Sequence, residues 1–330
     1  MPAEEMRRLV GTLGSQLRAA STLALPPIPA ATRMLVCGMG GSGIAGDYLS
    51  LLADRAGASA WTHKAYGLPG SALRERPLVV AMSYSGGTEE TLSAVEEAES
   101  AGLDVVVVGS GGILLDRARE HGAPVVEIDG NMPPRAAFGL LLGTAVRIAD
   151  VSGVVPGLAG DLGEAAGVAD EMCRDWDPAM DLASGLAGRI VAVYGSVGPT
   201  GPVTRRWKSQ INENAKTPAW WSLFPELDHN EILAWSGQPE LSRRVGIVTL
   251  YDRDDPVQIR RRIEYTSAVT AGTVDWVGSV HSRGRSLLAR MVSLTVMGDM
   301  VSVALAEQHG VDPVPIDAIE DLKRRMREDP

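Results

Sequence analysis

The stretch RMLVCGMGGSGIAGDYLSLLA, residues 33–53, passes from a short apolar run through a glycine-rich turn into a helix-like segment. A run too short for a helix and closed by glycines reads as a buried strand. PLVVAMSYSGGTEETLSAVEEAESAG, residues 77–102, repeats the order with a Ser/Thr-rich turn. LDVVVVGS and PVVEIDG add strands, with GGILLDRAREHG between them as a helix. Strands alternating with helices specify an α/β fold, a parallel sheet covered on both faces.

The same grammar restarts later. GRIVAVYGSVGPTGPVTRRWKSQINENAK, residues 188–216, reads as strand, turn and helix; RRVGIVTLYDRDDPVQIRRRIEYTSAV, residues 243–269, echoes the second unit; GTVDWVGSV is a later strand. Two copies of one α/β fold are expected, one over residues 1–152 and one over 153–330, with DVSGVVPGLAG (150–160) as a hinge. A chain of 330 residues is long enough for two cores. Met6, Leu9, Val10, Leu13 and Leu17 predict one N-terminal helix, ended by LPPIPAAT, and FGLLLGTAV (138–146) a buried one too short to span a bilayer. Residues 212–232, NENAKTPAWWSLFPELDHNEI, look like neither helix nor strand.

A net charge of −10 argues against a nucleic-acid or membrane-surface partner, since either needs a basic face. Cys37 and Cys173 are the only cysteines, and no charged-then-apolar leader opens the chain. Cytoplasmic residence without disulfides is expected.

GMGGSG, residues 38–43, formally satisfies the dinucleotide fingerprint. The acidic residue that a nicotinamide site wants about twenty positions on is missing: the corresponding text, SAWTHKAYG, offers His63 and Lys64. The turn still suits an anion, because glycines allow close approach and helix N-terminal amides point at it. In SYSGGTEET, Ser83, Ser85 and Thr88 cluster ahead of a helix and make a phosphate-sized cradle, a role compatible with Ser85 or Thr88 also serving as an N-cap. The second copy has LYDRDDPVQ at this place, which would repel an anion.

CGMGGSGIAGDYL, MSYSGGTEET and PPRAAFG resemble the sugar isomerase (SIS) domain family. INENAKTPAWWSLFPELDHNEILAW and GDMVSVALAEQHGVDPVPIDAIEDLK narrow the resemblance to its bifunctional phosphoglucose/phosphomannose isomerases. The resemblance implies two SIS domains, with an N-terminal and a C-terminal helix. It also implies a homodimer with an active site shared between subunits, and interconversion of glucose 6-phosphate or mannose 6-phosphate with fructose 6-phosphate without metal or organic cofactor. Carried over by motif, Gly41, Ser42, Ser83, Ser85 and Thr88 would hold the phosphate and Arg135 would face the reacting end of the sugar. Glu213, His229 and Lys323 would do the chemistry, His229 reaching in from the neighbouring subunit. Gly87 stands where relatives often have asparagine.

These residue types suit the reaction. Moving a proton between C2 and C1 through a cis-enediol needs one carboxylate over both carbons, ring opening suits an imidazole with a lysine beside it, and a guanidinium stabilises the enediolate. Trp220 and Trp221 read more readily as packing anchors than as a carbohydrate platform. His63, His121, His281 and His309 are expected to be structural. A phosphosugar sensor without turnover, or an isomerase of another sugar phosphate, would share the cradle.

Overall fold

The computed structural model describes residues 2–328. Its first sheet contains β1 (Arg33–Cys37), β2 (Ser59–His63), β3 (Leu78–Met82), β4 (Val105–Gly109) and β5 (Val125–Glu127), all parallel in the order β2-β1-β3-β4-β5. β3 and β4 are buried at every residue, which is why LVVAM and VVVVG carry no polar alternation. The second sheet contains β6 (Ile190–Ser196), β7 (Ala219–Phe224), β8 (Val245–Tyr251) and β9 (Trp276–His281), parallel in the order β7-β6-β8-β9.

In each sheet the chain leaves the first strand to one side and returns on the other, so loops diverge between β1 and β3 and between β6 and β8. Such switch points open a crevice beyond the carboxyl ends of the strands. The apolar core is continuous from Ala3 to Ala306 and crosses residue 152.

Two local expectations fail. The N-terminal segment is two helices, Pro2–Val10 and Leu13–Thr22, separated at Gly11 and Thr12, although all five apolar positions named for it are buried. The break lets the second helix run close against its neighbour: a Cβ on Gly14 would lie 2.7 Å from the Ala166 carbonyl oxygen. Residues 212–232 are also regular in part. They begin in the last turn of the Thr200–Asn214 helix and continue into β7. β7 is an edge strand, half-buried along most of its length, so it lacks the in-out alternation that marks a strand in sequence.

The Leu287–His309 helix has the length and apolarity of a membrane span, yet it is almost wholly buried inside the protein. Asp299, midway along it, accepts from Arg206 Nε (3.0 Å) and Nη2 (2.6 Å) and from Gln210 (2.9 Å). A buried carboxylate needs such partners. The start of this core helix is capped twice: Ser286 Oγ accepts from the Ala289 amide, and Glu164 accepts from the Arg285 and Ser286 amides. Those two backbone donors hold the Glu164 carboxyl down at about 2.

Candidate active site

The β1–β3 switch point is built for close approach. Gly38 follows β1, and a Cβ there would sit 2.7 Å from the Met82 carbonyl oxygen at the end of β3. Gly40 has φ +50°, a left-handed conformation that glycine adopts without steric cost. The Gly40–Arg55 helix begins at once, and Ser42 is buried in its first turn. Gly41 borders the loop of Arg135: its Cβ would lie 3.9 Å from Arg135 Cα.

Beyond β3, Ser83 Oγ and Thr88 Oγ1 share a hydrogen bond of 2.8 Å. Thr88 therefore does not cap the Glu89–Ser100 helix with its side chain, and neither does Met39 cap the Gly40–Arg55 helix. The helices that follow β1 and β3 thus both start without side-chain caps, and first-turn amides of this kind attract anions. Ser83 is buried and Ser85 is exposed.

The second cluster joins distant parts of the chain. Arg135, in the short 3-10 turn Pro134–Ala136, is only 3% exposed. Its Nε donates to Asn214 Oδ1 (2.7 Å), and Nη2 donates to the carbonyls of Pro313 (2.5 Å) and Val314 (3.0 Å). Nη1 has no hydrogen-bond partner and faces Glu213 Oε2 at 3.9 Å. Burial lowers the Arg135 pKa, and the Glu213 charge opposes this. Glu213 closes the Thr200–Asn214 helix with its side chain 30% exposed, so it is open to a ligand. Asn214 is fully buried and also donates to Ser302 on the core helix (2.9 Å), while Arg206 donates to the Arg135 carbonyl (3.1 Å). Charge and carboxylate thus rest on one buried frame.

The Asp317–Glu328 helix lies across both clusters. Lys323, Leu322 and Ile319 line a cavity of about 250 Å³ with Gly87 and Thr88; Ile319 also lines a neighbouring cavity of about 370 Å³ with Glu213 and Lys216. His229 lines neither. It is exposed at the end of the 3-10 turn Glu226–His229. The acids beside it anchor that loop: Asp228 accepts from Arg262 (3.0 Å) and Thr266 (2.9 Å), and Glu231 accepts from Tyr194 (2.6 Å), Trp220 (2.8 Å) and Ser222. Trp220 stacks on Trp235, and the Arg205 guanidinium covers Trp221, so both tryptophans are engaged within the chain.

Within one chain, then, Arg135 faces Glu213 and Lys323 lines one cavity with Thr88, whereas His229 stands apart. Asn214, Arg206 and Asp299 were not anticipated as supports. An aspartate in the middle of an apolar helix was the available signal, since it requires a buried cation.

Bifunctional phosphoglucose/phosphomannose isomerases of Caldicellulosiruptor bescii and Aquifex aeolicus are 32% and 35% identical to the chain. The first alignment covers 90% of both chains, the second 89% of this chain and 90% of the other. The chain belongs to the bifunctional phosphoglucose/phosphomannose isomerase family. A model described as the bacterial phospho-glucose isomerase C-terminal SIS domain matches residues 176–326. A D-glucosamine-6-phosphate 4-epimerase of Sulfolobus acidocaldarius is 28% identical over 91% of both chains. Among solved structures, tagatose-6-phosphate ketose/aldose isomerase from Escherichia coli has a TM-score of 0.70 at 14% identity, covering 95% of this chain and 94% of that one, a likeness of fold.

In this family member the second switch point is filled by the protein's own carboxylates. Asp255 accepts from Ser196 Oγ (2.6 Å) and from the Asp252 amide (2.8 Å); Asp252 in turn accepts from Arg290 (3.0 Å) and Ser282 (3.0 Å). An anionic ligand would meet like charge there. The divergence between SYSGGTEET and LYDRDDPVQ is therefore a divergence in what fills the crevice.

Proposed function

We propose that the protein interconverts glucose 6-phosphate and mannose 6-phosphate with fructose 6-phosphate. The carrying observation is the juxtaposition of Glu213 with the unpartnered Nη1 of Arg135, beside two uncapped helix N-termini. On this reading Gly41, Ser42, Ser83, Ser85 and Thr88 receive the phosphate, and the sugar extends toward Glu213. Residues 1–152 supply phosphate recognition and Arg135, and residues 153–330 supply the proton-transfer groups.

Ring opening places a proton on the ring oxygen and removes one from the anomeric hydroxyl, the work of His229 with Lys323. Glu213 then takes the C2 proton of the aldose and returns it to C1, and Arg135 stabilises the enediolate oxygens while charge resides there. His229 lines neither the cavity of Lys323 nor that of Glu213 in its own chain, and the reading includes the homodimer that the family resemblance implies, each subunit lending this side chain to the other. The cytoplasm is the proposed compartment. No step of this reading calls on a metal or an organic cofactor.

A coupled assay for glucose 6-phosphate tests the dual specificity. Formation from both fructose 6-phosphate and mannose 6-phosphate is expected, at rates unaffected by a chelator. Turnover of neither, with either sugar phosphate still bound, would make the protein a sensor; conversion at C4 alone would align it with the epimerase relative.

A further inference from the structure

Lys216 lies in the same NENAK segment as Glu213, yet the proposed chemistry gives it no task. It follows the cap residue Ala215 of the Thr200–Asn214 helix and holds φ at +52°. Helices that end in this left-handed conformation usually place glycine or asparagine there, because a Cβ is strained in it. Among the described residues, Arg76 and Lys216 are the non-glycine residues with positive φ. Strain retained beside a reactive carboxylate points to a use for the side chain.

The side chain does what glycine could not. Lys216 Nζ donates to the carbonyl of Glu213 (2.5 Å) and to that of Pro315 (2.7 Å). Arg135 already holds the carbonyls of Pro313 and Val314. Two cations flanking Glu213 therefore grip three successive carbonyls at the root of the Asp317–Glu328 helix. That helix leaves Ile319, Leu322 and Met326 substantially exposed, so its placement depends strongly on its root.

We infer that Lys216 is a positioning residue: it clamps the carboxyl-terminal arm to the backbone of Glu213 and so sets where Lys323 stands relative to the base. The kinetic part of this inference rests on the isomerase reading; the docking part does not.

Lys216→Gly removes the cation and the strain together, and Lys216→Arg restores a donor of sufficient reach. The melting temperature of Lys216→Gly is expected to stay within about 2 °C of wild type, the relieved strain offsetting the lost hydrogen bonds. Trypsin should cleave after Lys323, Arg324 and Arg325 about fivefold faster, because a released arm opens more often. The kcat for fructose 6-phosphate should fall about tenfold while KM stays within about twofold, the pattern of a lost transition-state arrangement rather than lost binding. Lys216→Arg should recover most of both effects.

Wild-type cleavage and kcat in a folded Lys216→Gly protein would reduce Lys216 to a helix end. Faster cleavage with unchanged kcat would break the link between arm and base. Should Lys216→Gly fail to fold, Lys216→Gln carries the same two readouts. Absence of isomerase activity in the wild type would defeat the isomerase reading alone, leaving the cleavage comparison to judge the clamp.

Discussion

Glu213→Gln is expected to lower kcat for fructose 6-phosphate by about 10³-fold or more, since it removes the base proposed to move the proton while keeping shape and volume. The sugar phosphate should still bind with nearly wild-type affinity, because the proposed anion cradle lies on other elements, after β1 and β3. The amide also removes the negative charge that faces Arg135 Nη1 at 3.9 Å, so a small gain in affinity would be understandable and a large loss would not. The same variant tests the shared site. Mixed and reassociated with His229→Asn, it would form, on the proposed shared-site dimer, heterodimers in which one of two sites carries both wild-type groups. Random pairing makes half the dimers mixed, so about a quarter of wild-type turnover should return. No recovery from two inactive variants would place His229 in its own subunit's site, and full activity of His229→Asn alone would place it outside the chemistry.

The second large effect falls on stability. Asp299→Asn leaves the Arg206 guanidinium, 2% exposed, without its counter-charge. Removing one partner of a buried pair costs about 3–5 kcal/mol, a large share of a protein's net stability. A drop in melting temperature of roughly 10 °C by circular dichroism is expected. Replacing both partners with apolar residues should recover much of the loss, because the penalty lies in the orphaned charge. A shift of only a degree or two in Asp299→Asn would mean that Arg206 finds water or another acceptor. Activity should fall as well, since Arg206 also donates to the carbonyl of Arg135.

The parts legible in the sequence are those encoded locally. The strand-turn-helix units at residues 33–53 and 77–102 were readable because glycine, serine and threonine mark the turn where the period changes. β7 was not, because edge strands are only half covered and its two tryptophans, on opposite faces of the strand, are both half-buried, Trp220 on Trp235 and Trp221 under Arg205, so no alternation of burial marks it. The surroundings of Arg135 were beyond reach for another reason: its partners Asn214 and Pro313 lie 79 and 178 residues away. Motif resemblance placed Arg135 and Glu213 in one site, but only the fold shows a buried guanidinium with one nitrogen that makes no hydrogen bond and faces Glu213. Lys216 is an intermediate case. Its sequence position is unremarkable, and its left-handed backbone is visible only in three dimensions.

The most direct test of the proton-transfer chemistry is to bring fructose 6-phosphate to equilibrium with the enzyme in deuterium oxide and read the glucose 6-phosphate by NMR. Deuterium at C2 is the predicted result, because the carboxylate of Glu213, partly open to solvent, exchanges its proton over many turnovers. Glucose 6-phosphate formed at full yield with no deuterium at C2 would mean direct hydride transfer between the carbons, and would contradict both the enediol and the role given to Glu213.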